Sequence, residues 1–149
     1  MSCLACDLIS GQAPLPGGRL HETSQWVVEH CVGPLGLGSL IVKPRRHVTC
    51  VADLDDSESS ELGPLLQLTA QVARALTDAE QVYVCLWSHA GAVPGHIHYV
   101  VQPVTHAQVA ENDGLYGPAL QVEMFRQDAT PSSADIERVS GRARALFIS

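Results

Sequence analysis

The chain has 149 residues, of which 46% are apolar and 17% charged, and its net charge is −7 with histidine neutral. This length and composition predict one folded globular domain and exclude a disordered chain. The negative charge argues against partners such as nucleic acid or an anionic membrane surface, and we find no apolar run long enough for a transmembrane helix.

The N-terminal segment, residues 1–19, contains Cys3 and Cys6 and then a Gly/Pro-rich stretch. It predicts a metal knuckle, a short helical turn and a loop. The start of the chain lacks the basic and long apolar regions of a signal peptide, so we expect a cytoplasmic protein with reduced thiols. Five cysteines make a closed disulfide framework improbable, and a Cys-x-x-Cys pair in a reducing compartment indicates metal binding or redox activity.

Two short apolar runs, 26–28 and 39–42, flank a Gly/Pro turn and predict an antiparallel hairpin. A helix should follow Asp53, with Asp55 and Glu58 as a capping box and an apolar face that ends at Leu76. Proline is disfavoured inside a helix, so the position of Pro64 leads us to expect that the regular helix begins near Ser60.

The run 82–87 predicts a buried central strand, and 88–95 predicts a loop. A strand over 96–102 follows, then a loop over 104–121, and last a helix from Ser133, its expected cap, to Phe147. The order of elements predicts an α+β domain with an antiparallel sheet.

Two histidines alternate with apolar residues at the start of the last predicted strand. His96 and His98 would therefore face the same side of the sheet. Together with Cys3, Cys6 and His47, His96 completes a Cys₂His₂ set, which suits tetrahedral zinc. The alternatives are a surface role for His47, a neutral core role for His96, and a redox dithiol at the cysteines. His98 is a candidate nucleophile, with a buried structural histidine as the alternative.

The order of these motifs resembles the histidine triad (HIT) family. The resemblance covers residues 3–103 and rests on the Cys-x-x-Cys pair, the segment Gly38-x-Leu-Ile-Val-x-Pro-x-x-His47, and His96-x-His98. It implies a single HIT-like domain, 1–149, with 104–149 as a divergent extension that contains a helix. It also implies a homodimer, structural zinc on Cys3, Cys6, His47 and His96, and His98 as nucleophile.

The resemblance further implies a hydrolase or transferase that acts on a nucleoside phosphate or phosphoramidate. The expected partner is a small-molecule purine nucleotide, with Ser88, Gly91, Gly95 and Gln102 as candidate binding residues. The sequence departs from the family at the third triad position, which is Val100, and at a ribose-binding acid position, which is Cys31 with Glu29 nearby. These departures favour an alternative hypothesis, in which the protein is a catalytically weak or inactive nucleotide-binding or regulatory module.

Overall fold

A computed structural model describes residues 3–149. An antiparallel sheet of five strands in the order β1-β2-β3-β5-β4 forms its centre. The strands are β1 (Arg19–Glu22), β2 (Trp26–His30), β3 (Leu40–Pro44), β4 (Ala79–Cys85) and β5 (Tyr99–Thr105). The helices are α1 (Leu4–Ser10), α2 (Asp56–Leu76), α3 (His106–Glu111), α4 (Gly117–Gln127) and α5 (Ser133–Phe147). The α+β antiparallel fold expected from the sequence is confirmed.

One face of the sheet packs against α2 and α5. The even-numbered positions of β2 and β3 and the odd-numbered positions of β5 point to this side because side chains alternate along a strand. Its core is almost entirely apolar and includes Trp26, Val28, Leu40, Val42, Val101 and Phe147. We call this side of the sheet the core face.

The opposite face carries α3 and α4. Their inward residues, Val109, Leu120 and Met124, pack with Val100 and Val104 of β5 and with Cys31 after β2. Residue pairs Glu29↔Ile41 and Ile41↔Val100 place three neighbouring strands in register on this side. We call it the cavity face because it also borders the largest cavity described below.

The predicted hairpin is confirmed as β2 and β3, which pair antiparallel from Trp26↔Pro44 to His30↔Leu40. The capping box is confirmed as well: the Asp55 side chain accepts from the Glu58 amide, and the Glu58 side chain accepts from the Asp55 amide. The α2 helix nevertheless begins at Asp56 rather than near Ser60, and Pro64 lies inside it. Pro64 and Ser60 are both exposed, so water can hydrate the carbonyl that the proline leaves without a donor.

Two strand predictions were wrong in position. Residues 82–85 of this run belong to β4, which is an edge strand because, among residues 3–149, only β5 pairs with it. Val84 is 45% exposed there. Leu86 and Trp87 follow the end of the strand. The strand predicted over 96–102 begins at Tyr99 and continues through Pro103 to Thr105. The β3 ladder stops at Leu40↔Val101, so Pro103 removes no hydrogen bond from it.

The loop predicted over 104–121 was also wrong, because this stretch includes α3 and the first half of α4. A capping box, in which Thr105 and Gln108 bond each other's backbone amides, starts α3. Pro118 in the first turn of α4 is a favourable helix start. The predicted C-terminal helix is confirmed over Ser133–Phe147, although Ser132 rather than Ser133 caps it. Within residues 3–149, no helix has the length and apolarity needed to cross a membrane.

Candidate functional site

Four predicted metal ligands meet at one end of the sheet. The sulfur atoms of Cys3 and Cys6 and one ring nitrogen from each of His47 and His96 all lie within 4.8 Å of one another. Cys6 Sγ is 3.5 Å from His47 Nδ1 and 3.4 Å from His96 Nδ1, and Cys3 Sγ is 3.7 Å from His96 Nδ1. Ligands about 2.0–2.3 Å from a tetrahedral zinc ion stand about 3.3–3.8 Å apart, so these three separations fit the ion.

Backbone contacts hold His96 in the form that binds a metal. Its Nε2 lies 2.8 Å from the carbonyl oxygen of Pro44, which can only accept, so Nε2 carries the proton and Nδ1 keeps its lone pair. Burial lowers the pKa of His96, which keeps the ring neutral. The amide of Ile97 also donates to the Val48 carbonyl at 2.8 Å and fixes the chain beside the ring.

The two cysteines come from the first turn of α1. Cys3 is the N-cap, and its sulfur accepts from the Cys6 amide at 3.5 Å. Burial and the neighbouring Cys3 raise the pKa of the Cys6 thiol. A bound zinc ion would reverse this effect because it stabilises thiolates. The donor set, its geometry and the protonation of His96 therefore all fit zinc.

A cavity of about 590 Å³ borders the four-residue cluster. It lies on the cavity face, and its walls come from α1, the end of β2, β3, the segment before β5, and α4. His98 lines this cavity and is exposed, which is contrary to the alternative of a buried structural histidine. A second cleft, about 360 Å³ between α2 and β4, contains none of the predicted site residues.

The backbone sets the tautomer of His98. Its Nδ1 is 3.2 Å from the His96 carbonyl oxygen, so Nδ1 donates and Nε2 keeps a free lone pair. A histidine nucleophile needs such a partner, and the sequence alone could not identify it. Val100, two residues later, also borders the cavity and offers no hydrogen-bonding group.

The predicted binding residues have different positions. Gly95 lines the cavity, whereas Ser88 and Gly91 belong to the preceding turn and are not part of the cavity wall. Gln102 is fully buried; its amide nitrogen lies 3.3 Å from Met124 Sδ, and its oxygen accepts from Gln121 at 2.9 Å. The structure therefore does not bring Gln102 to the place where a ligand would bind.

The structure adds a buried ion pair to the cavity wall. Lys43 Nζ donates to Glu29 Oε1 at 2.5 Å, and the two side chains are 1% and 7% exposed. Glu29 lies two residues before Cys31 and so faces the same side of β2. The alternation of β2 and β3 could have indicated that both residues face one side, but no pattern in the sequence indicates that a cavity borders them.

His30 lies between Glu29 and Cys31 in the chain and has a structural role. Its Nε2 accepts from the Gly38 amide at 2.9 Å, and Nδ1 lies 2.6 Å from the Cys31 carbonyl oxygen, to which it donates. Burial lowers its pKa and keeps the ring neutral. It thus links the end of β2 to the turn before β3 and supports that wall of the cavity.

Comparison with known sequences shows two similar relatives. Uncharacterised HIT-like proteins from two strains of Mycobacterium tuberculosis are each 28% identical over 105 residues, which covers 69% of this chain and 72% of theirs. No family model matches the chain.

Solved structures with a similar fold cover almost the whole chain. A zinc-bound histidine triad family protein from Mycobacterium smegmatis has a TM-score of 0.71 at 22% identity and covers 99% of this chain and 94% of its own. A hypothetical histidine triad nucleotide-binding protein from Sulfolobus tokodaii has a TM-score of 0.74 at 17% identity, covering 98% and 92%. A HIT-like protein involved in cell-cycle regulation from Bartonella henselae has a TM-score of 0.72 at 16% identity, covering 97% and 96%. At these identities the structural likeness establishes the fold alone, and the two sequence relatives are described as HIT-like proteins. The chain therefore has the fold of the histidine triad proteins and is similar in sequence to HIT-like proteins.

Proposed function

We propose that this protein is a nucleotide hydrolase or transferase that acts on a nucleoside phosphate or phosphoramidate through His98. The observation that carries the proposal is the exposed imidazole of His98 in the cavity, with Nδ1 engaged by a backbone carbonyl and Nε2 free. A neutral imidazole with a free lone pair is a competent nucleophile towards phosphorus. The nucleotide-binding description of the Sulfolobus tokodaii neighbour agrees with this choice of substrate.

The reaction would have two steps at His98. In the first, Nε2 forms a bond to the α-phosphorus, and the bond to the leaving group breaks with its electron pair on that group. Val100 can supply no proton, so the leaving group takes one from solvent, and the best substrates should have leaving groups that need little acid assistance. Water then attacks the phosphorus and releases one proton to solvent. The N–P bond breaks with its electron pair on Nε2, so the nucleoside monophosphate leaves and neutral His98 is restored.

We propose structural zinc at Cys3, Cys6, His47 and His96. When bound, zinc would supply a cross-link between α1, the turn after β3 and the segment before β5, rather than a reaction step. The zinc-bound neighbour from Mycobacterium smegmatis agrees with this choice of metal. Elemental analysis of protein kept free of chelators should find about one zinc per chain. We also propose a cytoplasmic location, where cysteine thiols stay reduced.

A panel of adenylated and guanylated phosphates and phosphoramidates tests the catalytic proposal through release of the monophosphate. His98→Ala should abolish release and leave the zinc content and the melting temperature unchanged. His106→Ala is the matched control, since His106 is an exposed histidine outside the cavity whose side chain is 82% exposed. Full activity in His98→Ala would refute the mechanism.

A second candidate is a catalytically weak or inactive nucleotide-binding or regulatory module. Val100 favours it, because the cavity wall next to His98 has no donor for a phosphate oxygen or a leaving group at that position. Binding of nucleoside monophosphates without turnover of any member of the panel would support this module and exclude the hydrolase or transferase.

We further propose a homodimer. The outer edge of β4 has no strand partner within the described residues, and an exposed Val84 lies on that strand. Unpaired edges favour pairing with another strand, and a second copy would satisfy the free amides and carbonyls. Sedimentation equilibrium should give twice the mass of one chain; a monomer at all micromolar concentrations would contradict this.

A further inference from the structure

Helix α4 is firmly attached to the cavity face. The amide of Gly117 donates to the Tyr83 hydroxyl at 2.8 Å, and Gln121 donates to the buried Gln102 amide oxygen at 2.9 Å. Leu120 is fully buried, and Met124 is 8% exposed. The position of this helix is therefore fixed by both hydrogen bonds and apolar packing, so side chains at its edge are held in place before any ligand arrives.

One aromatic side chain of α4 lies at the mouth of the cavity. Phe125 lines the cavity and is 52% exposed. It stands four residues after Gln121 and thus on nearly the same side of the helix. Val122, which is 67% exposed on the same helix, is not part of the cavity wall. An exposed phenylalanine on a rigid helix at a cavity mouth indicates a contact surface for a ligand.

The side chains that line the cavity change from polar to apolar between His98 and Val100 of β5. His98 lies near the metal-ligand cluster, Val100 follows on the same face about 6–7 Å further on, and Gln102, the next residue on that face, already contacts α4. The cavity thus extends from the nucleophile towards the helix that carries Phe125. Its wall on that side is apolar and includes Val32, Leu35 and Ile41.

A ligand with a phosphate at one end and a flat ring at the other matches this arrangement. We propose that Phe125 stacks on the base of the bound nucleotide and is a specificity-determining residue that distinguishes a nucleotide from a sugar phosphate. This inference rests on the proposed function. Because every base has a flat π-surface, stacking gives affinity for a base without strong discrimination among bases.

Calorimetric titration with adenosine monophosphate, guanosine monophosphate and ribose 5-phosphate tests the inference. Phe125→Ala should weaken both nucleotides by about 5- to 150-fold, the range expected for loss of one stacked base, and leave ribose 5-phosphate unchanged. Phe125→Tyr keeps an aromatic ring and should retain nucleotide affinity. Val122→Ala is the matched control, and it should change none of the three affinities.

The outcomes separate this inference from the proposed function. Nucleotide affinity that survives in Phe125→Ala, or an equal loss for ribose 5-phosphate, would overturn the stacking role and leave the His98 mechanism standing. Loss of turnover in His98→Ala alongside unchanged nucleotide affinity in Phe125→Ala would show the same. Wild-type protein that prefers no nucleotide over ribose 5-phosphate would overturn the inference, and wild-type protein that binds none of these probes would overturn both.

Discussion

The two faces of the sheet are formed by the same strands but carry different kinds of side chain. On the core face, Trp26, Val28 and Val42 are all fully buried against α2 and α5. On the cavity face, the intervening positions carry the Glu29–Lys43 ion pair and open onto the cavity. Alternation along β2 and β3 thus places the apolar core on one side and the ion pair beside the cavity on the other.

The buried ion pair distinguishes the cavity face from the core face. An ion pair out of water is an inefficient way to stabilise a protein, since apolar residues of the same volume often do as well or better. Its presence beside the candidate nucleophile, together with an exposed Phe125, agrees with the ligand site that we propose on the cavity face.

The largest expected effect is loss of stability on the core face. Trp26 is fully buried, and its indole N–H donates to the Glu58 carbonyl at 2.9 Å. Trp26→Ala should lower the free energy of unfolding by about 3–5 kcal/mol, measured by urea denaturation. Phe125→Ala on the other face should change it by no more than about 0.5 kcal/mol. Equal losses in the two variants would refute the division of roles between the faces.

Substitutions in the ion pair on the cavity face should change the free energy of unfolding in a different way. Lys43→Met leaves the Glu29 carboxylate buried without its partner and should lower the free energy of unfolding by about 3–5 kcal/mol. Adding Glu29→Leu to the same chain removes both charges, and the double variant should be as stable as the wild type or more so. Chemical denaturation of both variants measures this. A double variant as unstable as Lys43→Met would show that the pair itself contributes to stability.

Local signals in the sequence were sufficient for the core face. The hairpin, the Asp55–Glu58 cap and the apolar stripe of α2 follow from residues close together in the chain, and the structure confirms all of them. The edge position of β4 was not predictable in the same way, because an apolar run does not specify how many strands pair with it. Helix α3 was missed since it has only six residues and its cap, Thr105, belongs to a strand.

Part of the candidate site could be predicted from the sequence, and part could not. Cys3, Cys6, His47 and His96 were grouped by spacing and resemblance, and the structure brings all four together. The walls of the cavity could not be predicted, because Lys43 and Phe125 meet the site only through sheet register and helix packing. Gln102 shows the converse: alternation placed it on the correct face, but α4 covers that position.

Removal of the metal should loosen one segment rather than the whole fold. No residue of α1 is buried, and its attachments include the cysteine cluster, a hydrogen bond from Arg19 to the Ile9 carbonyl at 2.9 Å and one from the Ala13 amide to the Asp7 carbonyl at 3.1 Å. A strong chelator should therefore make the α1 amides exchange rapidly with deuterium while α2 remains protected.

Substitution of single cysteines sharpens this experiment. Cys6→Ser should lose zinc and show fast exchange in α1 without any chelator. Cys50→Ser is the matched control, since Cys50 is an exposed cysteine outside the cluster. Protection of α1 that persists in zinc-free protein would show that the cluster does not hold the helix.

The smallest effect should come from an acidic group on the outer side of α4. The Arg126 guanidinium and the Gln127 amide lower the pKa of Glu123 to about 2. A depressed carboxyl pKa contributes stability above the unfolded value of 4.5, and that stability is lost as the pH falls through the folded value. For Glu123 the loss should occur between about pH 4.5 and 2.

Titration of the Glu123 carboxyl carbon by NMR measures this directly. Arg126→Gln should return the Glu123 pKa towards its ordinary value, because two hydrogen bonds from Arg126, one of 2.9 Å from Nε, hold the carboxylate. The free energy of unfolding at neutral pH should hardly change, since the Arg126 side chain is 70% exposed and surface ion pairs contribute little. The pair therefore modifies the pH dependence of the cavity-face helix without holding it to the sheet. A large loss of stability at neutral pH would instead mean that α4 depends on surface charge for its attachment, and the fixed position argued for Phe125 would then fail with it.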